Sequence, residues 1–143
     1  MPHLILEAHE VQPGDEFDKD WTLNEDQVEE RRLREVRNEL IREHLAKGKT
    51  VSFRQSGWSL WPRVCSNDSC TYIPVRFEGQ VLEGDIVFCI VQPSGYDYAH
   101  LVKEKEYDRS RREYKFWISN LKGRSNGFCY IEHIFGKHVQ ALL

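Results

Sequence analysis

At 143 residues the chain has the size of one domain that buries a core of its own. Its hydrophobic content of 40% and aromatic content of 12% exclude a disordered chain. Its net charge of -3 argues against broad attraction to nucleic acid. No apolar run approaches the roughly 18 residues of a membrane span. The start, Met1-Pro2-His3-Leu4-Ile5-Leu6-Glu7, turns acidic too soon for a secretory leader, so an intracellular setting is expected.

Residues 1–21 read as an extended arm with a turn at Pro13-Gly14-Asp15. Residues 22–48 read as a charged amphipathic helix. Asn24 is a good N-cap with Gln27 as its capping-box partner, and Glu25, Asp26, Glu29 and Glu30 suit the helix dipole. Leu33, Val36, Leu40, His44 and Leu45 form a narrow apolar stripe that ends at Gly48. The stripe predicts either a lid on the chain's own β domain, the favoured arrangement, or helix-mediated assembly with a partner.

From residue 49 to 143 the pattern is β. Thr50–Arg54 and Thr71–Val75 alternate, while Asp85–Val91 is continuously apolar and predicts a strand buried on both faces. Strands are also expected at Tyr98–Val102, Tyr114–Ser119 and Tyr130–Phe135, with turns at Pro93-Ser94-Gly95, Lys122-Gly123, Asn126-Gly127 and Gly136. Many short strands with regular turns define a mainly β fold, a small barrel or sandwich with an N-terminal arm and one helix. Cys65, Cys70, Cys89 and Cys129 fit no zinc spacing. Buried free thiols are expected, with a Cys65–Cys70 disulfide as the alternative in an oxidising compartment. Nothing in the chain calls for a metal or a cofactor.

Ser59 sits on a turn hinged by Gly57. Serines beside glycine mostly hydrogen-bond their own backbone, but a serine becomes a nucleophile when a base takes its proton. His100, alone in a strand, suits that role because an ordinary imidazole titrates near about 6.5 and is mostly neutral at pH 7. Lys103 points to the other face of a regular strand, and Lys105 needs a bulge to face the site. The Ser59 amide, with Ser56 and Gly57, would face an oxyanion. Trp58, Leu60 and Trp61 would either line a substrate pocket or anchor the loop in the core. Asp85 opens a strand after Gly84 and is expected to cap turn amides rather than act as a catalytic acid.

Ser56-Gly57-Trp58-Ser59-Leu60 resembles the Ser-Gly-x-Ser-Met nucleophile segment of the LexA and signal-peptidase superfamily, with Leu60 in place of methionine and Pro62 at the signal-peptidase proline. Gly84-Asp85-Ile86-Val87 is similar to the turn and strand that follow in both branches. His100-Leu101-Val102 is similar to the histidine-base form in eukaryotic signal peptidases. Phe116 to Gly127 resembles the closing segment of small bacterial and phage members. The resemblance covers residues 50–140 and implies a Ser59–His100 dyad in a LexA-like β fold. Where signal peptidases carry Lys-Gly-Asp, this chain has Lys122-Gly123-Arg124, so a cation replaces the acid. Asn120 or Asn126 would then orient the imidazole, as asparagine does in papain-like sites. The chain contains no Ala-Gly pair, the self-cleavage site of LexA relatives.

Two functions follow. One is a serine endopeptidase cleaving a polypeptide substrate in trans. The other is an inactive pseudo-peptidase that serves as a binding or structural subunit with a protein partner. Nucleic-acid binding through Arg109, Arg111 and Arg112 is disfavoured by the acids interleaved with them.

Overall fold

Helix formation starts where cap chemistry puts it. In this computed structural model, which describes residues 3–6, 24–55, 68–92, 95 and 97–139, α1 spans Glu25–Ala46. The Asn24 side chain accepts from the Gln27 N–H at 2.9 Å, and the Gln27 side chain accepts from the Asn24 N–H at 3.0 Å, so two orphan amides are satisfied reciprocally. Gly48, at φ +83°, ends the helix in a left-handed conformation that glycine adopts without penalty.

The buried face of α1 is Asn38, Ile41 and Leu45, which corrects the expected stripe. Leu33, Val36 and Leu40 are 39%, 51% and 38% exposed. Neighbouring helical residues point about 100° apart, so Leu40 and Ile41 cannot both face the sheet, and Ile41 does. The C-terminal half of α1 thus lies as a lid on its own β domain, over strands β2 (Thr50–Gln55), β3 (Asp68–Pro74) and β8 (Ile134–Val139).

Among the described residues one sheet holds β1 (His3–Leu6), β2 (Thr50–Gln55), β3 (Asp68–Pro74), β4 (Ile86–Ile90), β5 (Asp97–Asp108), β6 (Glu113–Ser119), β7 (Ser125–Tyr130) and β8 (Ile134–Val139). Their order is β1-β2-β3-β8-β4-β5-β6-β7. β1 pairs with β2 in parallel; the other seven strands pair antiparallel and curl into a half-barrel. The fold is therefore mainly β with one helix. Residues 3–6 of the expected arm belong to the sheet.

The apolar run in β4 is buried on both faces, as alternation demands of a central strand. Ile86 and Phe88 join Ile41, Leu45, Val51, Phe53, Cys70, Tyr72 and Ala99 in a core under the helix. Val87 and Cys89 join Val102, Phe116, Ile118, Cys129 and Ile134 in a second core inside the curl. Cys70, Cys89 and Cys129 are buried thiols outside any disulfide, so the disulfide alternative does not hold for Cys70. Cys65 lies outside the described residues.

Two glycine-marked turns are strand instead. Asn126-Gly127 lies within β7 at a bulge opposite Ile118 and Ser119. There Gly127, at φ +124°, lets the backbone meet Gln92, whose carbonyl oxygen a Cβ would overlap. Gln92 and Phe128 exchange backbone hydrogen bonds of 2.7 and 3.0 Å, drawing β7 back toward the end of β4. Gly136 lies within β8, where a Cβ would come within 2.9 Å of the Leu45 methyls. Its missing side chain makes room for α1. The expected strand Tyr130–Phe135 is broken by a 3-10 turn at Ile131–His133. Pro93 and Ser94 lie outside the described residues.

Candidate functional site

The glycine turn that opens β4 positions the histidine strand. Gly84, at φ +94°, donates its N–H to the Val102 carbonyl at 2.8 Å, and Val102 N–H returns a bond to Asp85 O at 2.8 Å. The Asp85 carboxylate accepts from Leu82 N–H at 2.9 Å, the turn-capping role expected of it.

His100 stands opposite Val87 in the β4–β5 ladder, on the face of the second core that also carries Val102. It is 5% exposed. Its Nδ1 lies 2.6 Å from the Ala99 carbonyl oxygen. A carbonyl can only accept, so Nδ1 carries the proton and Nε2 carries the lone pair. Burial disfavours the imidazolium and pulls the His100 pKa down to about 4, with the Ala99 hydrogen bond opposing. The ring is therefore neutral at neutral pH in the tautomer that a base acting through Nε2 requires.

Lys105 is not a competing base, for a reason sequence alone could not supply. β5 carries a bulge between Val102 and Glu104, which brings Lys105 opposite Phe116 and onto the same face as His100. Its Nζ lies 2.6 Å from the Glu78 carboxylate and donates to the carbonyls of Glu78 and Val81 at 3.0 and 3.1 Å. It also lies over the Tyr114 ring. The lysine ties the turn at Glu78–Gln80 to the sheet.

The two asparagines differ. Continuing the β5–β6 register one residue past Leu101↔Ser119 sets Asn120 opposite His100. The Asn120 side-chain oxygen accepts from Arg124 N–H at 2.9 Å, and the Asn120 N–H donates to the Arg124 carbonyl at 3.1 Å, so it closes the β6–β7 turn. The side-chain oxygen of Asn126 is buried with no hydrogen-bond partner among the described residues. The hydrogen bond given to the His100 ring is to the backbone carbonyl of Ala99. No side-chain motif signals such a contact.

Ser56, Gly57, Trp58, Ser59, Leu60 and Trp61 lie outside the described residues. The strands that bracket them meet at Gln55↔Asp68. By register, that is the end of the sheet at which β4 begins and the β5–β6 hairpin lies. Val51 and Phe53 of β2 face the helix-side core, whereas His100 faces the second one.

Among the described residues no three His, Cys, Asp or Glu side chains gather as metal ligands, and no helix is long and apolar enough to cross a membrane. No family model, curated protein or solved structure matches the chain.

Proposed function

We propose that the chain is a serine endopeptidase of the LexA and signal-peptidase kind, with Ser59 as nucleophile and His100 as general base. One observation carries this reading: the Ala99 carbonyl holds Nδ1–H and leaves Nε2 of His100 as a proton acceptor. A backbone carbonyl then does the orienting that a carboxylate does in a triad, which offsets the absence of an acid in Lys122-Gly123-Arg124. Ser59 Oγ attacks the scissile carbonyl as its proton passes to His100 Nε2. The Ser59 amide, with Ser56 or Gly57, holds the oxyanion. The imidazolium then protonates the leaving amine, and water hydrolyses the acyl-enzyme.

A fluorophosphonate probe read by intact mass tests this directly. Single labelling of the wild type, lost in Ser59→Ala and slowed at least tenfold in His100→Gln (about 1.4 kcal/mol of barrier), is the expected outcome. Equal labelling of Ser59→Ala sinks the assignment.

A second reading, a pseudo-peptidase used as a binding subunit, is favoured by a different observation. His100 is walled by Val87 and Val102, both 0% exposed, on the face opposite Val51 and Phe53. Imidazolium formation there is unfavourable, and a base with a pKa near 4 is weak at neutral pH.

A further inference from the structure

The β1–β2 pairing stands apart from the rest of the sheet. It is parallel where every other pairing among the described strands is antiparallel. It is made by four residues, in the register His3↔Thr50, Leu4↔Val51, Ile5↔Ser52 and Leu6↔Phe53. Parallel ladders are somewhat weaker per residue than antiparallel ones. Without β1, the outer edge of β2 presents a row of unpaired backbone donors and acceptors, a template for any extended chain. β2 ends at Gln55, four residues before Ser59 along the chain. The strand edge that leads to the proposed nucleophile is thus occupied by the chain's own N-terminal residues.

We infer that the outer edge of β2 is a docking edge for an extended polypeptide, and that His3–Leu6 occupies it as a tethered competitor. Main-chain hydrogen bonds to Thr50–Phe53 supply the affinity of such a strand-addition site, so it tolerates many sequences. Residues 7–23 join β1 to the cap of α1 and keep the competitor at high effective concentration. An incoming strand binds by displacing β1. That this strand is substrate rests on the peptidase reading; the exchange of strands does not.

The probe is a fluorescein-labelled peptide, Pro-His-Leu-Ile-Leu-Glu, that copies the residues forming β1. Fluorescence anisotropy measures its binding to the full chain. Full-length Leu4→Pro/Ile5→Pro removes two β1 backbone donors, and it binds the peptide at least about tenfold more tightly than wild type, because the tethered competitor is gone. Full-length His3→Cys/Thr50→Cys is the complementary variant. Neighbouring strands lie about 4.8 Å apart, within disulfide range, so oxidation locks β1 in place and abolishes binding, and reduction restores it. Should the proline variant fail to fold, the locked variant decides. Equal affinity in oxidised and reduced forms overturns the inference. Cleavage is followed in the same samples. Tighter binding without cleavage leaves the docking edge intact and refutes the peptidase. Cleavage that is lost in Ser59→Ala but indifferent to the lock leaves the peptidase intact and refutes the docking edge.

Discussion

The two faces of the β4–β5 pair present similar aliphatic side chains to different closures. On one, Ile86, Phe88 and Ala99 meet a helix and a ring cluster in which Phe53 stacks on Tyr72 at 5.2 Å and Phe88 approaches Phe53 edge-on at 6.0 Å. On the other, Val87, Cys89 and Val102 meet the sheet's own far strands, closed by the Gln92–Phe128 bridge. His100 sits on the second face only. A run that reads as uniformly apolar along the chain therefore separates two environments. The face sealed by backbone curl keeps a polar group within reach of a main-chain carbonyl, whereas the face under the helix is sealed by aromatic packing.

Removing a ring from either core has the largest expected effect. Phe88→Ala and Phe116→Ala, both from side chains at most 2% exposed, each lose about 3–5 kcal/mol. Denaturant unfolding followed by fluorescence and by far-UV circular dichroism shows one shared transition in each variant. Separate transitions for the two cores would break the picture of one cooperative sheet.

The next effect belongs to the second face alone. The His100 pKa, held down to about 4 by burial, lies below its unfolded value near 6.5. Between these limits the unfolded chain binds more protons, so stability rises with pH. The contribution of His100 is fully present above pH 6.5 and is lost as pH falls toward 4, in total about 3 kcal/mol. His100→Phe flattens this part of the stability profile in urea titrations. An unchanged slope would place the proton uptake elsewhere.

Closure by the curl is tested at Gly127. Gly127→Ala adds a Cβ against the Gln92 carbonyl at positive φ, and is expected to lose about 1–3 kcal/mol, with faster amide exchange at Phe128. Protection equal to wild type would show that the bridge does not close the second core. The smallest effect is at the helix, where Asn24→Ala removes a cap and costs about 1 kcal/mol, read as a lower thermal midpoint.

What was legible in the sequence follows from how local each signal is. The Asn24–Gln27 box, the Gly84-Asp85 turn and the doubly buried β4 depend on neighbouring residues, and the structure has them where the pattern puts them. The helix stripe misleads because Leu33, Val36 and Leu40 satisfy a helical period as well as Ile41 and Leu45 do, and only the position of β8, with Gly136 beneath Leu45, selects the second set. Asn126-Gly127 and Gly136 read as turns because glycine has two uses; here the backbone at Gln92 and the helix come too close for a side chain. The bulge at Lys103, which turns Lys105 inward onto the Glu78 carboxylate, is a property of strand register that no local pattern carries. His100 was legible as a candidate, but its orientation by the Ala99 carbonyl was not, since every residue has a carbonyl.

The most direct test of the Ser59–His100 peptidase is cleavage of a peptide library from pH 3 to 9, read by mass spectrometry, for wild type, Ser59→Ala and His100→Gln. The expected result is cleavage by wild type, abolished in Ser59→Ala and strongly reduced in His100→Gln, with kcat/KM rising through an acidic limb near pH 4 rather than near the ordinary histidine value. A folded wild type that cleaves nothing across that range, or a Ser59→Ala variant that cleaves as well as wild type, would contradict it.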